Sequence, residues 1–227
     1  MGERRDGLYG RRKGKPLSPR KTTLMATALP ALAIDTSQPA PADLGSLFPH
    51  RPAAVRLEIG FGGGEHLAAM AMRFPDTGFI GVEPFVNGLA KMVTAIADDG
   101  LANVRLCGGE AQKLIDWMPP ASLAGVDLLY PDPWPKKRHW KRRFVSAENL
   151  ARLARVMRSG AILRVASDIP DYVTWTLMHA VRAPEFAWTA ERASDWTEPY
   201  EGWPGTRYEA KALAAGRTPT YLTFRRG

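Results

Sequence analysis

The segment LEIGFGGGEHL, residues 57–67, decides how the rest of the sequence is interpreted. It runs from an apolar stretch through a glycine-rich loop into a stretch with helical spacing. Glycine lets the backbone turn tightly and approach a ligand, and the first N–H groups of a helix are available to bind one. A dinucleotide-binding G-x-G-x-x-G loop that starts at Gly60 would require glycine at position 65, where Glu65 stands. The pattern here is instead E-x-G-x-G-x-G, from Glu58 to Gly64.

Short apolar strands alternate with longer helical stretches from residue 54 onward. Strands are predicted at 54–61, 78–84, 103–109, 126–132 and 161–168, and helices at 64–74, 86–100, 111–118, 147–160 and 169–183. Two last strands are predicted at 186–191 and 220–226, with no long helical pattern between them. Repeated strand–helix units indicate an α/β fold with a mostly parallel, doubly wound sheet. Such sheets bind ligands beyond the carboxyl ends of their strands.

Acidic residues stand at the ends of the predicted strands. Glu83 ends the second strand, 23 residues after Gly60, where a carboxylate can accept hydrogen bonds from both hydroxyls of a ribose. Glu110 follows the third strand, in position to meet an adenine amino group. This combination resembles the class I methyltransferases that use S-adenosylmethionine, a sulfonium cofactor without phosphates that suits an acidic cradle. The alternative is a plain strand–helix turn with acids that face solvent.

A rigid carboxylate is joined to a basic arm in LLYPDPWPKKRHWKRR, residues 128–143. Asp132 lies between two prolines, which fix their own φ angles and push the preceding residues toward extended conformations. Six of the eight residues at 136–143 are Lys or Arg. Trp134 could stack on a base or pack as a lid on the core. The arm itself is either a nucleic-acid contact or a solvated loop.

The net charge of +8 is concentrated in two blocks. Residues 1–21 carry +6 and residues 131–143 carry +5, so the remainder carries −3. Two basic blocks on a slightly acidic body indicate a polyanionic partner, because cations that bind phosphates release condensed counterions. The single cysteine, Cys107, excludes an internal disulfide framework, and no Cys/His spacing indicates a metal site.

Residues 1–43 are predicted to form a basic, flexible N-terminal tail and linker, and residues 44–227 a single domain. The stretch LMATALPALAI (24–34) imitates a secretory signal, but Pro30 interrupts it, and the preceding charged region is long and contains acids. No other segment approaches the ~20 apolar residues of a membrane span. The protein is therefore expected in the cytoplasm.

The arm PDPWPKKRHWKRR (131–143) resembles the signature of bacterial tRNA (guanine-N7-)-methyltransferases, whose pattern runs PDPW-x-K-x-RH-x-KRR. The glycine loop, the SD at 167–168 and the segment TRYEAKALAAGRTPTYLTF at 206–224 also resemble that family. So does the basic RRKGKPLSP at 11–19, which matches its arginine-rich leader. The resemblance covers nearly the whole chain and implies a Rossmann-like class I methyltransferase fold.

The resemblance implies methyl transfer from S-adenosylmethionine to N7 of guanosine 46 in the tRNA variable loop. It implies cofactor contacts at Glu58, Gly60, Gly62, Glu83, Glu110 and Asp132. It implies tRNA contacts at Lys136, Arg138, His139, Trp140, Lys141, Arg142, Arg143, Asp168, Thr206, Arg207, Tyr208 and Glu209. The family usually has Asp where this chain has Glu110, and the stretch between Arg207 and Arg217 follows the family pattern only loosely.

The reaction that this resemblance implies needs no general base, because guanine N7 carries an in-plane lone pair and no proton. Asp132 is assigned the catalytic role. Together with Asp168 it is expected to accept hydrogen bonds from the Watson–Crick edge of a flipped-out guanine.

Three alternatives remain. A class I methyltransferase could act on another RNA, a small molecule or a protein, although the two basic blocks argue against a small molecule or a protein. A nucleotide-dependent dehydrogenase would need a third glycine in place of Glu65. An RNA-binding module without catalysis would not need Glu83 and Asp132 at strand ends. The oligomeric state is left open.

Overall fold

The structure is a computed structural model that describes residues 12–227. Within that range the chain forms one seven-stranded sheet. The strands are β1 (Ala54–Ile59), β2 (Thr77–Val82), β3 (Val104–Cys107), β4 (Leu123–Leu129), β5 (Met157–Ser167), β6 (Phe186–Trp188) and β7 (Thr220–Arg226). The α-helices are α1 (Pro19–Thr27), α2 (Leu29–Leu32), α3 (Glu65–Arg73), α4 (Val86–Asp99), α5 (Ala111–Trp117), α6 (Ala147–Val156), α7 (Pro170–Ala180), α8 (Ser194–Thr197) and α9 (Arg207–Ala214). Short 3₁₀ helices occur at Leu44–Leu47 and Lys137–Arg142.

The strand order is β3-β2-β1-β4-β5-β7-β6. Strands β1 to β5 run parallel, and β7 lies between β5 and β6 and pairs antiparallel with both. The predicted mostly parallel sheet is confirmed. The strand order changes direction between β1 and β4, so the carboxyl ends of these two strands leave a crevice of the kind that binds ligands in open α/β sheets.

Helices pack on both faces of the sheet, as the doubly wound arrangement requires. Alternate residues of β1, such as Leu57, face a core that contains Leu114 of α5 and Leu150 of α6. The opposite core contains Leu67 of α3 and Met92 of α4. In the described part of the chain no helix combines the length and apolar character that a membrane crossing needs.

The predicted helix at 147–160 is too long. Helix α6 ends at Val156, and β5 begins at Met157, which pairs with Leu123 of β4. The three residues that follow Met157 are exposed, and Gly160 has a φ of 78° beside a register shift in this pair of strands. Pairing with β4 therefore extends the strand backward into a stretch whose composition favours a helix.

Part of the predicted N-terminal tail is folded onto the domain. Residues 1–11 lie outside the described range, but residues 19–32 form α1 and α2, whose leucines pack against the core beside α4. Ser18 caps α1, and the Ile34 N–H donates to the Leu106 carbonyl of β3 at 2.8 Å. The prediction of a flexible tail and linker does not hold for 19–32, because apolar residues at helical spacing are partly buried against the core there.

Helix α9 was not predicted. Its start is a capping box: the Thr206 side chain accepts from the Glu209 N–H at 3.0 Å, and the Glu209 carboxylate accepts from the Thr206 N–H at 3.3 Å. The T-x-x-E spacing is a known signal for a helix start. The helix is only eight residues long, so its apolar periodicity is short.

Candidate active site

A cleft of about 410 Å³ opens at the carboxyl ends of β1, β2 and β4. Its walls include Gly60 and Gly62 after β1, Glu83 after β2, Asp132 after β4, and Tyr208 of α9. The volume lies within the range of small-molecule and cofactor sites. The structure therefore brings four of the six predicted cofactor-contacting residues to one cleft.

The glycine loop has the backbone geometry that only glycine adopts easily. Gly60, Gly62 and Gly64 have φ values of 69°, 57° and 84°. A Cβ on Gly60 would have no other atom within 4 Å, so the space beside this residue is open to a ligand. The loop thus offers an approachable backbone at the floor of the cleft.

Glu83 ties the glycine loop to the start of α4. Its carboxylate accepts from the Gly62 N–H at 2.7 Å and from the Phe85 N–H at 2.9 Å. Burial raises the pKa of Glu83, although these two N–H groups oppose the rise. The remaining lone pairs of a carboxylate can still accept from ribose hydroxyls.

We expect Glu83→Gln to raise the Kd for S-adenosylmethionine by about 10–100-fold, because each hydrogen bond to a charged group contributes about 1.5–3 kcal/mol. One of the two N–H groups would then face an amide NH₂. Isothermal titration calorimetry measures this change. The control is Glu191→Gln, which removes the same charge at an exposed position after β6. An unchanged Kd for Glu83→Gln would contradict the assignment.

The loop that follows β4 places Asp132 on the cleft wall. Asp132 is exposed, and partial removal of its carboxylate from water raises its pKa. Tyr130 and Trp134 adopt φ values of 51° and 42°, conformations that cost about 1–3 kcal/mol each and cluster at functional sites. The expectation that the residue before Pro131 is extended is therefore wrong, because the backbone bends at Tyr130, where β4 ends.

Trp134 lies on the cleft wall with cationic and imidazole neighbours. The Arg142 guanidinium lies over its ring at 4.9 Å, and the His139 ring packs edge-on at 5.8 Å. Of the two roles predicted for Trp134, a base-stacking surface and a lid on the core, its half-buried position on the cleft is compatible with the first.

The basic arm divides into exposed and buried cations. Lys136, Arg138 and Lys141 are exposed and can reach a phosphate backbone. Trp140 is half buried and packs edge-to-face on Trp175 of α7, with ring centroids 5.4 Å apart. The exposure of Lys136, Arg138 and Lys141 is compatible with the tRNA contacts predicted for them, which stay predictions.

Arg143 is a structural residue rather than an exposed RNA contact. Its side chain is fully buried, it donates Nε to the Pro133 carbonyl at 2.8 Å, and it forms an ion pair with Asp171 of α7. Its guanidinium also lies 4.9 Å from the ring centroids of Trp140 and Trp175. These contacts hold the arm against α7, and the tRNA contact predicted for Arg143 stays a prediction.

The T-R-Y-E segment also divides by burial. Thr206 and Glu209 form the capping box, and Glu209 is buried and accepts from Trp203 Nε1 at 2.7 Å and from the Tyr221 hydroxyl. Arg207 and Tyr208 face the glycine loop instead. In this structure Glu209 is buried and Thr206 caps α9, and their predicted tRNA contacts stay predictions.

Three other predicted residues lie away from the cleft wall. Glu58 is 5% exposed and accepts from His66 Nδ1 at 2.7 Å, beneath the glycine loop. Glu110 is the N-cap of α5 and pairs with Lys113 at 3.6 Å. Asp168 follows β5 and pairs with Arg217. Glu58 does not line the cleft and is hydrogen-bonded to His66, and its predicted cofactor contact stays a prediction.

Sequence analysis missed a buried group of ionisable residues on one face of the sheet. Arg56 Nη2 donates to Asp127 Oδ2 at 2.9 Å, and Arg164 Nη1 lies 3.8 Å from Asp127 Oδ1. His66 joins this group through Glu58. The sequence did contain a sign of this group, since each of the strands β1, β4 and β5 carries a charged residue inside an apolar run.

The chemistry of the cleft fits S-adenosylmethionine. Its walls carry the Glu83 and Asp132 carboxylates, which suit a cationic cofactor, and an open glycine backbone next to Gly60. Glu83 lies where the ribose of a nucleoside cofactor would bind in such a fold. The residues present therefore fit this cofactor.

Comparisons with known proteins agree with this site. Residues 52–222 match a protein family described as "Putative methyltransferase". The chain is 58% identical over 219 residues to the tRNA (guanine-N(7)-)-methyltransferase of Mesorhizobium japonicum, and the match covers 96% of this chain and 94% of that protein. It is 54% identical to the protein of the same name from Rhizobium meliloti, over 97% of this chain and 95% of that protein.

Solved structures share the fold at low sequence identity. The 16S rRNA methyltransferase KamB superposes with a TM-score of 0.62 at 19% identity, over 84% of this chain and 95% of that one. This likeness confirms the Rossmann-like class I methyltransferase fold that the sequence predicted. With more than half of its sequence identical to relatives of nearly equal length, the chain belongs to the family of bacterial tRNA (guanine-N(7)-)-methyltransferases.

Proposed function

We propose that this protein transfers a methyl group from S-adenosylmethionine to N7 of a guanosine in tRNA, at position 46 of the variable loop. The observation that carries the proposal is the loop after β4. It places the Asp132 carboxylate on the cleft wall and continues directly into an arm with exposed cations at Lys136, Arg138 and Lys141. The relatives' name supports both the reaction and the nucleic acid.

The main task of the protein in this reaction is positioning. S-adenosylmethionine, when bound, supplies an electrophilic methyl group on a sulfonium. Gly60, Gly62 and Glu83 would hold the cofactor, and the walls of the cleft would hold the base so that N7 points at the methyl carbon. Correct orientation of two reactants can contribute about 7–11 kcal/mol to lowering a barrier.

Asp132 is proposed to act on the base. A carboxylate on the cleft wall can accept hydrogen bonds from the N–H groups of a guanine, and it stabilises the positive charge that the base gains on methylation at N7. Asp168 lies outside the cleft wall, so it is proposed as a second acceptor only for a base that extends beyond the wall toward the end of β5. It is held by Arg217, so the Asp168 carboxylate keeps a fixed orientation while it retains unused lone pairs.

The exposed cations of the arm are proposed to bind the tRNA backbone. Lys136, Arg138 and Lys141 lie within nine residues of Asp132, so a phosphate bound by the arm lies near the base that enters the cleft. Because the substrate is tRNA, we expect the protein to act in the cytoplasm.

The test is transfer of labelled methyl groups from S-adenosylmethionine to two tRNA transcripts that differ only in guanosine or adenosine at position 46. We expect label on the guanosine transcript alone, because adenine offers a different hydrogen-bonding edge to Asp132. Cleavage of the chain under N7-specific chemistry should map to the same position. Equal label on both transcripts would overturn the assignment of position 46, and absence of label with cofactor bound would overturn tRNA as the substrate.

A further inference from the structure

A row of charged side chains crosses one face of the sheet beneath the segment 200–206. Glu58 of β1, Asp127 of β4 and Arg164 of β5 are neighbours in the strand register. The Arg164 guanidinium lies 3.7 Å from the ring centroid of Tyr200, so the first residue of this segment covers the row. Charged residues inside a sheet need such partners, because removing an unpaired charge from water is costly.

His66 of α3 connects this row to the covering segment. Its Nδ1 lies 2.7 Å from Glu58 Oε2 and its Nε2 lies 2.6 Å from the Tyr200 hydroxyl. Both His66 and Glu58 are buried, at 2% and 5% exposure. Neutral imidazole has one donor and one acceptor nitrogen and imidazolium has two donors, so His66 can make both hydrogen bonds in either state.

The same face of α3 contacts the rest of the segment. His66, Met70 and Arg73 follow each other at helical spacing. The Tyr200 hydroxyl lies 3.7 Å from Met70 Sδ, and a Cβ on Gly202 would collide with the Arg73 guanidinium. Gly202 also has a φ of 76°, so the backbone is turned tightly against the helix at this point.

The far end of the segment leads directly to the cleft. Trp203 Nε1 donates to the buried Glu209 carboxylate at 2.7 Å, which joins the segment to the start of α9. A Cβ on Gly62 would lie 3.0 Å from Tyr208 Cε2 and 3.2 Å from Arg207 Nη2. The position of the segment therefore decides how closely these two side chains approach the glycine loop.

We propose that the hydrogen-bonded chain Glu58–His66–Tyr200 is a latch that holds segment 200–206 in place, and that His66 and Tyr200 are positioning residues for methyl transfer. Neither residue lines the cleft, and both act through Arg207 and Tyr208. The latch also assigns Glu58 a role that does not require contact with the cofactor. The kinetic part of this inference rests on the proposed function.

The test variant is Tyr200→Phe, which removes one hydroxyl and keeps the ring over Arg164. Hydrogen–deuterium exchange of the full chain should become about tenfold faster at the backbone N–H groups of 200–206, as expected for loss of one buried hydrogen bond. His66→Phe is the second variant, because phenylalanine keeps an aromatic ring and has no hydrogen-bonding nitrogen for either partner. The matched control is Ser122→Ala. It removes a buried hydroxyl that donates to the Pro119 carbonyl at 2.7 Å, just before the amino end of β4.

The kinetic readout is a double-mutant cycle with Tyr208→Ala. We expect Tyr200→Phe to lower kcat/KM for tRNA by about tenfold in the native background and by less than twofold when Tyr208 is already alanine. Additive effects of the two substitutions would overturn the positioning role, and so would unchanged kcat/KM. Unchanged exchange at 200–206 in both latch variants would overturn the latch. If the unaltered protein methylates no tRNA, the proposed function fails, and the exchange measurement alone decides whether the latch exists.

Discussion

Asp132→Asn is expected to lower kcat for tRNA methylation by about 10²–10³-fold, the usual cost of removing one preorganised electrostatic group from an active site. The variant keeps the shape of the side chain but loses the negative charge that faces the base. The asparagine NH₂ group would also point at the guanine N–H groups from which the Asp132 carboxylate is proposed to accept hydrogen bonds. The expected change in the Kd for S-adenosylmethionine is smaller than tenfold, because Glu83 and the glycine loop remain.

Single-turnover methyl transfer at saturating cofactor and tRNA measures this effect. The control is Asp99→Asn, which removes the same charge from the exposed end of α4, remote from the cleft. Because the pKa of Asp132 is raised, kcat should fall on the acid side as its carboxylate protonates, at a pH above the usual range of aspartate. Near-normal turnover of Asp132→Asn would remove this residue from the mechanism.

Asp127→Asn is expected to lower the free energy of unfolding by about 3–5 kcal/mol, the cost of breaking a buried ion pair by removing one partner. Asp127 is 2% exposed and lies between Arg56 and Arg164. The asparagine leaves two guanidinium groups on this face of the sheet without their counter-charge. Cavity formation is excluded as the cause, because the two side chains have nearly the same volume.

Urea unfolding at constant salt measures this loss, with Asp116→Asn as the control. Asp116 is half exposed and pairs with Arg152 at 2.9 Å, so its loss should cost less than about 1 kcal/mol. Burial alone would raise the pKa of Asp127, but the arginines and His66 outweigh it and the pKa is lowered. The stability from this group is therefore present above the unfolded pKa and lost as the pH falls through the folded pKa. Equal losses for the two variants would contradict a buried role for Asp127.

Much of the fold was predictable because its signals are local. The glycines after β1 and the apolar runs of β1 to β5 can be read from short stretches of sequence, because glycine frees the backbone locally and a strand covered on both faces is apolar along its length. Errors occurred where a tertiary contact overrides a local preference. Pairing with β4 turned 157–160 from predicted helix to strand, and packing on the core beside α4 ordered 19–32.

The residues that line the cleft were predictable in part from the sequence. Gly60, Gly62, Glu83 and Asp132 line one cleft, as expected for residues at the carboxyl ends of parallel strands, and their cofactor contacts stay predictions. A resemblance in sequence transfers residues by position, but it carries no information on burial. Arg143 and Glu209 were therefore assigned to tRNA although both are buried.

The sequence by itself determined the class of fold, the glycine loop, the acids at the strand ends and the basic arm, since each depends on residues close together in the chain. Only the tertiary structure decided which of those residues reach the cleft and which hold it together. Arg143 meets Asp171 28 positions away, and His66 meets Tyr200 134 positions away. Burial and hydrogen-bond partnership arise from such long-range contacts, and for that reason the latch beneath the glycine loop has no counterpart in any local sequence pattern.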